Sequence, residues 1–455
     1  MRLAEALRVR PGTSVAFTGA GGKSSSLQRL AEELAPQGPV ILTTTTRLGK
    51  EQSDLAHHHL VLTSPDDLES LSGLLDRHGT VLVTGPLDTT GAKWAGLVPA
   101  EINALYREFR NRELKPAAGS DHPPVILIEA DGARGRSLKA PAEHEPAVPE
   151  WADVVVPVVG MDALGETIGS DLVHRGDVLG ARLGLGNADR ISGDHIAALL
   201  MSPIGGLKGI PGTAEARILL NKVDTDERWS SARAIAEQVL REPRVAAVAL
   251  ASVLQASPVA ECWGRVAGVV LAAGGSSRLG RPKQLIEWRG RALAWHAART
   301  ALDAGLSPVV VVTGAGATEV GNALSEQAVE IVYNPRWQGG QSTSVRAGVE
   351  AVIGRAEAIC FLLSDMPRVP PDLIQREVET HRRTLSPIVA PWAGGRWANP
   401  ALFDRAVFQE LLSLRGDRGG RALFDRYPVL RIEWDESILL DVDTPEDLER
   451  LERLP

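Results

Sequence analysis

Two short stretches of this chain carry residue types that suit phosphate chemistry. Residues 269–285 read VVLAAGGSSRLGRPKQL, and residues 15–26 read VAFTGAGGKSSS. In each, an apolar run breaks into a glycine-rich turn with hydroxyls and a lysine close by. Glycines at such a turn let backbone amides approach an anion, while hydroxyls and an ammonium add donors and charge. In the first stretch, Leu271, Ala272, Ala273, Gly274 and Gly275 form the strand end and turn. Ser276, Ser277 and Arg278 supply donors, and Lys283 a point charge for a triphosphate. In the second, Gly19, Gly21, Gly22, Lys23 and Ser24 open a helix with an apolar face of Leu27, Leu30, Ala31 and Leu34. The positive end of that helix then faces the anion, with Lys23 on phosphates and Ser24 on magnesium.

Further motifs lie where such turns need them. Residues 125–132 (VILIEADG) end an apolar run in Glu129 and Asp131; either suits magnesium or its water, and Asp131 is taken as the metal candidate. Residues 218–224 (ILLNKVD) place Asn221, Lys222 and Asp224 in an N-K-x-D pattern, in which the Asp carboxylate reads guanine; an ordinary turn is the alternative. These features imply GTP or ATP at the N-terminal site. The usual G-x-x-x-x-G-K-S/T spacing is not met, because Phe17 stands where the first glycine belongs. Only eight residues are lysine, against 49 basic residues in all, and Lys23, Lys222 and Lys283 each fall inside one of these patterns. His57, His58 and His59 read as a solvated run on a surface loop, since adjacent histidines point in different directions.

The elements that must position these residues follow from periodicity. Short apolar strands alternate with amphipathic helical stretches, which predicts α/β architecture with two doubly wound parallel sheets. The first half offers strands at 15–18, 40–43, 81–84, 125–129, 154–159 and 218–221. The second offers 268–272, 309–313, 330–333, 358–364, 388–391 and 430–432. Each glycine-rich turn follows the first strand of its half, where a doubly wound sheet places its phosphate loop. Residues 255–265 have weak periodicity and a proline, so the boundary is placed there, giving domains 1–258 and 266–455.

Composition limits the partners. With 455 residues, 44% hydrophobic, 23% charged and a net charge of −8, the chain has no general attraction for nucleic acid or anionic lipid. Any phosphate ligand must be held by local devices. Cys262 and Cys360 have no metal-ligand spacing, no apolar run is long enough to span a membrane, and Arg8 and Arg10 interrupt any signal-peptide core. The expectation is a cytoplasmic protein.

The second half resembles the molybdenum-cofactor nucleotidyltransferase family over about 190 residues. After the LAAG-x-S-x-R-x-G-x-x-K turn come Asn334-Pro335, residues 340–346 (GQSTSVR), 361–367 (FLLSDMP), 395–400 (GRWANP), 416–421 (GDRGGR) and 441–445 (DVDTP), in that family's order. The resemblance implies a Rossmann-like nucleotidyltransferase domain using Mg2+, with Arg278, Lys283 and Asp365 catalytic. Asp365, at the end of a buried strand, is the magnesium ligand, and Asp443 is the second carboxylate by its place in the family's ending. Residues 443–446 also suit a helix N-cap with proline in the first turn. Ser342, Ser344 and Arg346 would contact base and ribose, or simply begin a helix. The LAAG turn and PKQL run are similar to the cytidylyl-transferring branch, where Ala273 leaves less room for a purine. CTP is then the substrate and the molybdopterin phosphate the acceptor, a phosphate nucleophile that needs no strong base. Guanylyl transfer and sugar-phosphate nucleotidyl transfer remain alternatives.

The first half resembles the YqeC-type accessory family associated with selenium-dependent molybdenum hydroxylases. The residues that carry this are TGAGGKSS (18–25), the 43–47 threonine–arginine run, EADGARGRSLKAP (129–141), His174-Arg175, GGLKGIP (205–211) and NKVD. Its glycine-rich loop, two residues short, is similar to that of Mur-type ligases. Together the resemblances imply a bifunctional cofactor-maturation enzyme with a molybdenum hydroxylase apoenzyme as partner. The alternative for the front half is a nucleotide-switched module that delivers the cofactor.

Overall fold

The computed structural model describes residues 1–110, 122–275 and 282–453. The chain divides into two compact units, Met1–Trp263 and Gly264–Pro455.

In the first unit the strands are β1 (Ser14–Gly19), β2 (Val40–Thr44), β3 (His58–Val61), β4 (Thr80–Thr84) and β5 (Val125–Glu129). They continue with β6 (Val154–Gly160), β7 (Glu215–Asn221), β8 (Val245–Ala251) and β9 (Val259–Gly264). Among the described residues they form one sheet in the order β9-β8-β7-β6-β1-β5-β2-β4-β3. Every pairing from β8 to β3 is parallel. Strands β2, β4, β5 and β6 are buried at every residue. That is why they read as continuous apolar runs and not as alternating ones. The order runs outward from β1 in both directions, so the end of β1 opens onto the crevice where such sheets bind ligands. There the chain turns through Gly19–Gly22 into α1 (Lys23–Leu34), whose expected apolar face is buried.

Two segments differ from expectation. Val259–Gly264, inside the stretch read as the boundary, is the edge strand β9, and the Met1 ammonium donates to Val259 O at 2.7 Å. His58–Val61, expected as a loop, is the opposite edge strand. Backbone pairing with β4 supplies what its side-chain pattern conceals, and His59 Nε2 lies 2.8 Å from Thr84 Oγ1. His58–Val61 is only half-buried along its length, whereas Val259–Gly264 is mostly buried but lacks a continuous apolar run, with Glu261 among its buried residues.

The second unit contains β10 (Val266–Ala272), β11 (Val309–Thr313), β12 (Glu330–Tyr333) and β13 (Ala358–Leu363). Further on come β14 (Ile388–Ala393), β15 (Arg396–Trp397), β16 (Ala401–Asp404) and β17 (Val429–Glu433). Their order is β12-β11-β10-β13-β16-β14-β15, with β17 also on β14. The β12-β11-β10-β13 block is parallel, but β16 runs antiparallel between β13 and β14. The sheet is therefore mixed. Helix α2 (Gln341–Val352) packs with Val269, Val310 and Val312 on one face. Helix α3 (Pro371–Thr384) packs in the core of Val270 and Val311 on the other. Among the described residues no helix is long and apolar enough to cross a membrane.

Candidate functional site

In the second unit a cavity of about 810 Å³ is lined by Leu271, Ala273, Gly274, Gly275, Lys283 and Asp365, together with residues around the start of α2. Ala272 turns instead into the core, 2% exposed. Ser276, Ser277 and Arg278 lie outside the described residues.

The Lys283 ammonium is paired with the carboxylate of Asp365 and lies 2.8 Å from Asp443 Oδ1. These acids are far apart in sequence but joined by the backbone: Val442 N–H donates to Asp365 O at 3.0 Å. That bond lays the C-terminal segment against the end of β13. The cap reading of residues 443–446 also has its place, on different atoms. Helix α4 (Pro445–Arg453) is capped reciprocally by Thr444 and Asp447, with Thr444 N–H donating to Asp447 Oδ2 at 3.0 Å and Asp447 N–H to Thr444 Oγ1 at 3.3 Å. The Asp443 side chain is left for Lys283. Burial alone would lower the pKa of Lys283, but the carboxylates of Asp365 and Asp443 outweigh it and hold the ammonium above its ordinary value.

Asp365 Oδ1 is buried and takes no hydrogen bond among the described residues. A buried carboxylate oxygen without a partner suits a cation ligand. Magnesium is commonly bound by one or two carboxylates plus substrate phosphates, so this pair fits it. No cluster of three or more His, Cys, Asp or Glu suited to a metal occurs among the described residues.

Ser344 is on the cavity wall, and its Oγ accepts from Asn334 Nδ2 at 3.1 Å. Ser342 is not on the wall. It is 1% exposed and its N–H donates to Gly416 O at 3.2 Å, because the Gly340 turn presses this end of α2 onto the 416–417 backbone. Trp337 was not singled out from the sequence, yet it lines the cavity. A Cβ on Gly275 would meet its ring at 2.8 Å, and one on Gly314 at 2.6 Å. A large aromatic between the Asn-Pro and Gly-Gln-Ser motifs was the available signal.

In the first unit a cavity of about 890 Å³ includes Gly21, Gly22, Lys23, Ser24, Glu129 and Lys222 in its lining. The loop is tightly fitted. Gly21 and Gly22 have φ of +98° and +121°, and a Cβ on Gly21 would stand 2.1 Å from Gly160 N. Only glycine serves at such a position. Lys23 is 4% exposed and donates to Gly19 O at 2.6 Å. It also pairs with Asp131 Oδ1 at 3.1 Å, an ion pair without hydrogen-bond geometry. Asp131 Oδ2 accepts Gly19 N–H at 2.9 Å and forms an ion pair with Lys139 Nζ at 3.0 Å. Lys139 continues to Glu145 at 3.0 Å, and Arg175 reaches Glu145 at 2.6 Å. Burial alone would raise Glu145, but hydrogen bonds from Arg175 and Lys139 hold its carboxyl down at about 2.

Asp131, expected at the metal, is thus committed to the underside of the loop, and its buried oxygens already face two ammonium groups. Of Glu129 and Asp131 it is Glu129 that lies on the cavity wall, with Ser24 Oγ donating to its Oε2 at 3.1 Å. Burial raises its pKa against the pull of Lys23 and Ser24. Asn221 braces the loop from behind: Nδ2 donates to Gly21 O at 2.7 Å, and Oδ1 accepts Val253 N–H at 3.1 Å. Lys222, at φ +61°, pairs with Asp162 at 2.7 Å and borders the cavity. Asp224 pairs with Arg228 and is not part of the cavity lining.

With that geometry in view, the family described as YqeC protein matches residues 15–177, and the MobA-like NTP transferase domain matches residues 268–431. The YqeC protein of Escherichia coli strain K12 is 30% identical over 239 residues, covering 51% of this chain and 82% of that protein. The second unit is similar to nicotine blue oxidoreductase of Paenarthrobacter nicotinovorans, 35% identical over 197 residues (41% of this chain, 96% of the relative). It is also similar to molybdenum cofactor cytidylyltransferase of E. coli K12, 29% identical over 184 residues (39% and 91%). A probable molybdenum cofactor guanylyltransferase of Mycobacterium avium strain 104 matches at the same identity over 192 residues (41% and 95%). The chain belongs to the YqeC family in its first unit and to the MobA-like NTP transferase family in its second.

Proposed function

We propose that the second unit transfers a cytidylyl group from CTP to the terminal phosphate of molybdopterin, releasing pyrophosphate, within a chain that matures the molybdenum cofactor. One observation carries this reading: Lys283 sits between Asp365 and Asp443 at the wall of a cavity that Gly274 and Gly275 also line. Two anions must meet in this reaction. Lys283 and the backbone at Gly274 and Gly275 would hold the triphosphate, while Trp337 and Ser344 bound the rest of the cavity. An acceptor phosphate oxygen attacks the α-phosphorus of CTP, the bond to the β-phosphate oxygen breaks, and pyrophosphate leaves. Asp365 and Asp443 would hold the magnesium ion, which supplies charge neutralisation for the two anions. The acceptor is already ionised, so no general base is required.

Ala273 is among the cavity-lining residues, and a methyl there would leave less room for a purine, which supports CTP over GTP. The test is pyrophosphate release from the full chain with molybdopterin, magnesium and each nucleotide in turn. CTP is expected to lead, and Ala273→Gly to shift the CTP/GTP ratio of kcat/KM toward GTP by about 10- to 200-fold, the range one small group commands. Release with GTP alone would overturn the base assignment. The 35% identity to nicotine blue oxidoreductase makes redox chemistry the second reading. No pyrophosphate from any nucleotide would leave that one standing.

In the first unit the proposal is a GTP or ATP site on Gly19–Ser24, with Ser24 and Glu129 at magnesium and, of the Asn221–Asp224 run, Lys222 at the cavity wall. It serves a molybdenum hydroxylase apoenzyme as partner. Slow hydrolysis coupled to cofactor handover would mark a delivery switch, and rapid turnover an enzyme.

A further inference from the structure

The cavity of the first unit extends beyond a nucleotide loop, and its remaining wall is cationic in a chain whose net charge is −8. Lys23, Arg136, Arg175 and Lys222 line it too, but each has a carboxylate partner: Asp131, Asp171, Glu145 and Asp162 respectively. Arg47, Lys93 and Arg134 line the same cavity, are exposed, and have no side-chain hydrogen bond or ion pair among the described residues. Glu51 and Glu129 are the other acids on the wall besides Glu145. His174 lines the cavity too; burial, then Arg175, Lys139 and Arg134, hold it below its ordinary pKa against the opposing pull of Glu145.

Topology places these cations. Arg134, held at φ +51°, lies in the loop after β5, the neighbour of β1. Arg47 lies in the loop after β2, the next strand along. Lys93 joins it through the short ribbon that pairs Leu48–Gly49 with Lys93–Trp94. With strands about 4.8 Å apart, these loops start one and two strand spacings, roughly 5–10 Å, from the glycine-rich loop. Lys222, which follows β7, lines the cavity on the other side of β1. A nucleoside reaching toward β7 leaves the β5–β2 side open for a second anion.

We propose that the first unit holds two anions at once: a nucleotide polyphosphate on the loop after β1, and a phosphomonoester held by Arg134, Arg47 and Lys93 over the ends of β5 and β2. Only the first of these rests on the nucleotide reading above. Guanidinium and ammonium groups without carboxylate partners suit a doubly charged phosphate.

The test titrates the full chain with phenyl phosphate by calorimetry, with and without a saturating magnesium complex of a non-hydrolysable GTP analogue. Arg47→Gln/Arg134→Gln should weaken phenyl phosphate binding at least tenfold and leave nucleotide affinity within twofold. The altered residues are exposed, so folding should be retained. Unchanged phenyl phosphate affinity in that variant, or phenyl phosphate and nucleotide excluding each other, would overturn the proposal. Nucleotide affinity indifferent to Ser24→Ala would instead count against the nucleotide reading, while arginine-dependent phenyl phosphate binding still supports the second subsite.

Discussion

Lys23 and Lys283 stand in similar places, each shortly after a glycine-rich turn that ends the first strand of its unit, yet their surroundings differ. Lys23 is sealed beneath its loop, 4% exposed, in a line of alternating charge that runs Lys23–Asp131–Lys139–Glu145–Arg175. Lys283 sits at a cavity wall between two acids, of which Asp443 keeps 45% of its side chain exposed. The first arrangement stiffens a loop so that its backbone amides and Ser24 can act. The second leaves a movable ammonium and two carboxylates where substrate and metal would lie. Similar residues in similar turns therefore do not carry the same role; burial separates them, because an ion pair removed from water exchanges little with a ligand.

Exchanging acids between these settings should give the largest contrast. Asp131→Ala leaves two lysines buried without their shared acid and should cost the first unit about 3–5 kcal/mol. Amide exchange at residues 14–19 of the full chain would read this, while pyrophosphate release is spared. Asp365→Ala should do the reverse, lowering kcat/KM of nucleotidyl transfer on the order of 10³-fold with the melting temperature nearly unchanged. Activity surviving Asp365→Ala would remove the proposed metal ligand.

A smaller effect tests whether the first loop is braced. Asn221→Ala removes two buried hydrogen bonds, to Gly21 O and from Val253 N–H, and should destabilise the unit by about 2 kcal/mol. Nucleotide affinity should fall with it. An unchanged affinity would mean that the loop holds its shape without Asn221.

The two units should also differ in pH dependence, with opposite signs. Glu145 is depressed to about 2 from 4.5, so its contribution is present above pH 4.5 and is lost as pH falls toward 2. Glu145→Gln should flatten that loss in the first unit. Glu377, buried with its Oε2 3.5 Å from Cys360 Sγ, is raised well above 4.5 by burial. Its contribution is present below pH 4.5 and is lost as pH rises toward its folded value. Glu377→Gln keeps the neutral shape and should gain stability relative to the parent between pH 5 and 8. Chemical denaturation followed by amide exchange in each unit separates the two. Parallel pH curves for parent and variant would sink either assignment.

Much of this protein was legible in sequence because its central strands are buried on both faces. Val125–Glu129 and Ala358–Leu363 read as strands from apolar runs alone, and the glycine-rich turns announced their positions through residue types that few other conformations need. The turns, the lysines and the acid at the end of Ala358–Leu363 were therefore found locally. The two edge strands of the first sheet were not, since His58–Val61 and Val259–Gly264 owe their form to backbone pairing with distant segments. Tertiary structure alone decided which acid faces which cavity. Glu129 is the last residue of β5, whereas Asp131 lies two residues beyond it; strand periodicity would put both on one face, but the turn after β5 sends Asp131 beneath the loop and leaves Glu129 on the cavity wall. It also brought Asp443 to Lys283 across 160 residues through a single backbone bond at Val442. Sequence named the chemistry because residue type and local spacing determine what a group can do. The fold assigned the roles because burial and long-range proximity determine which group is free to do it.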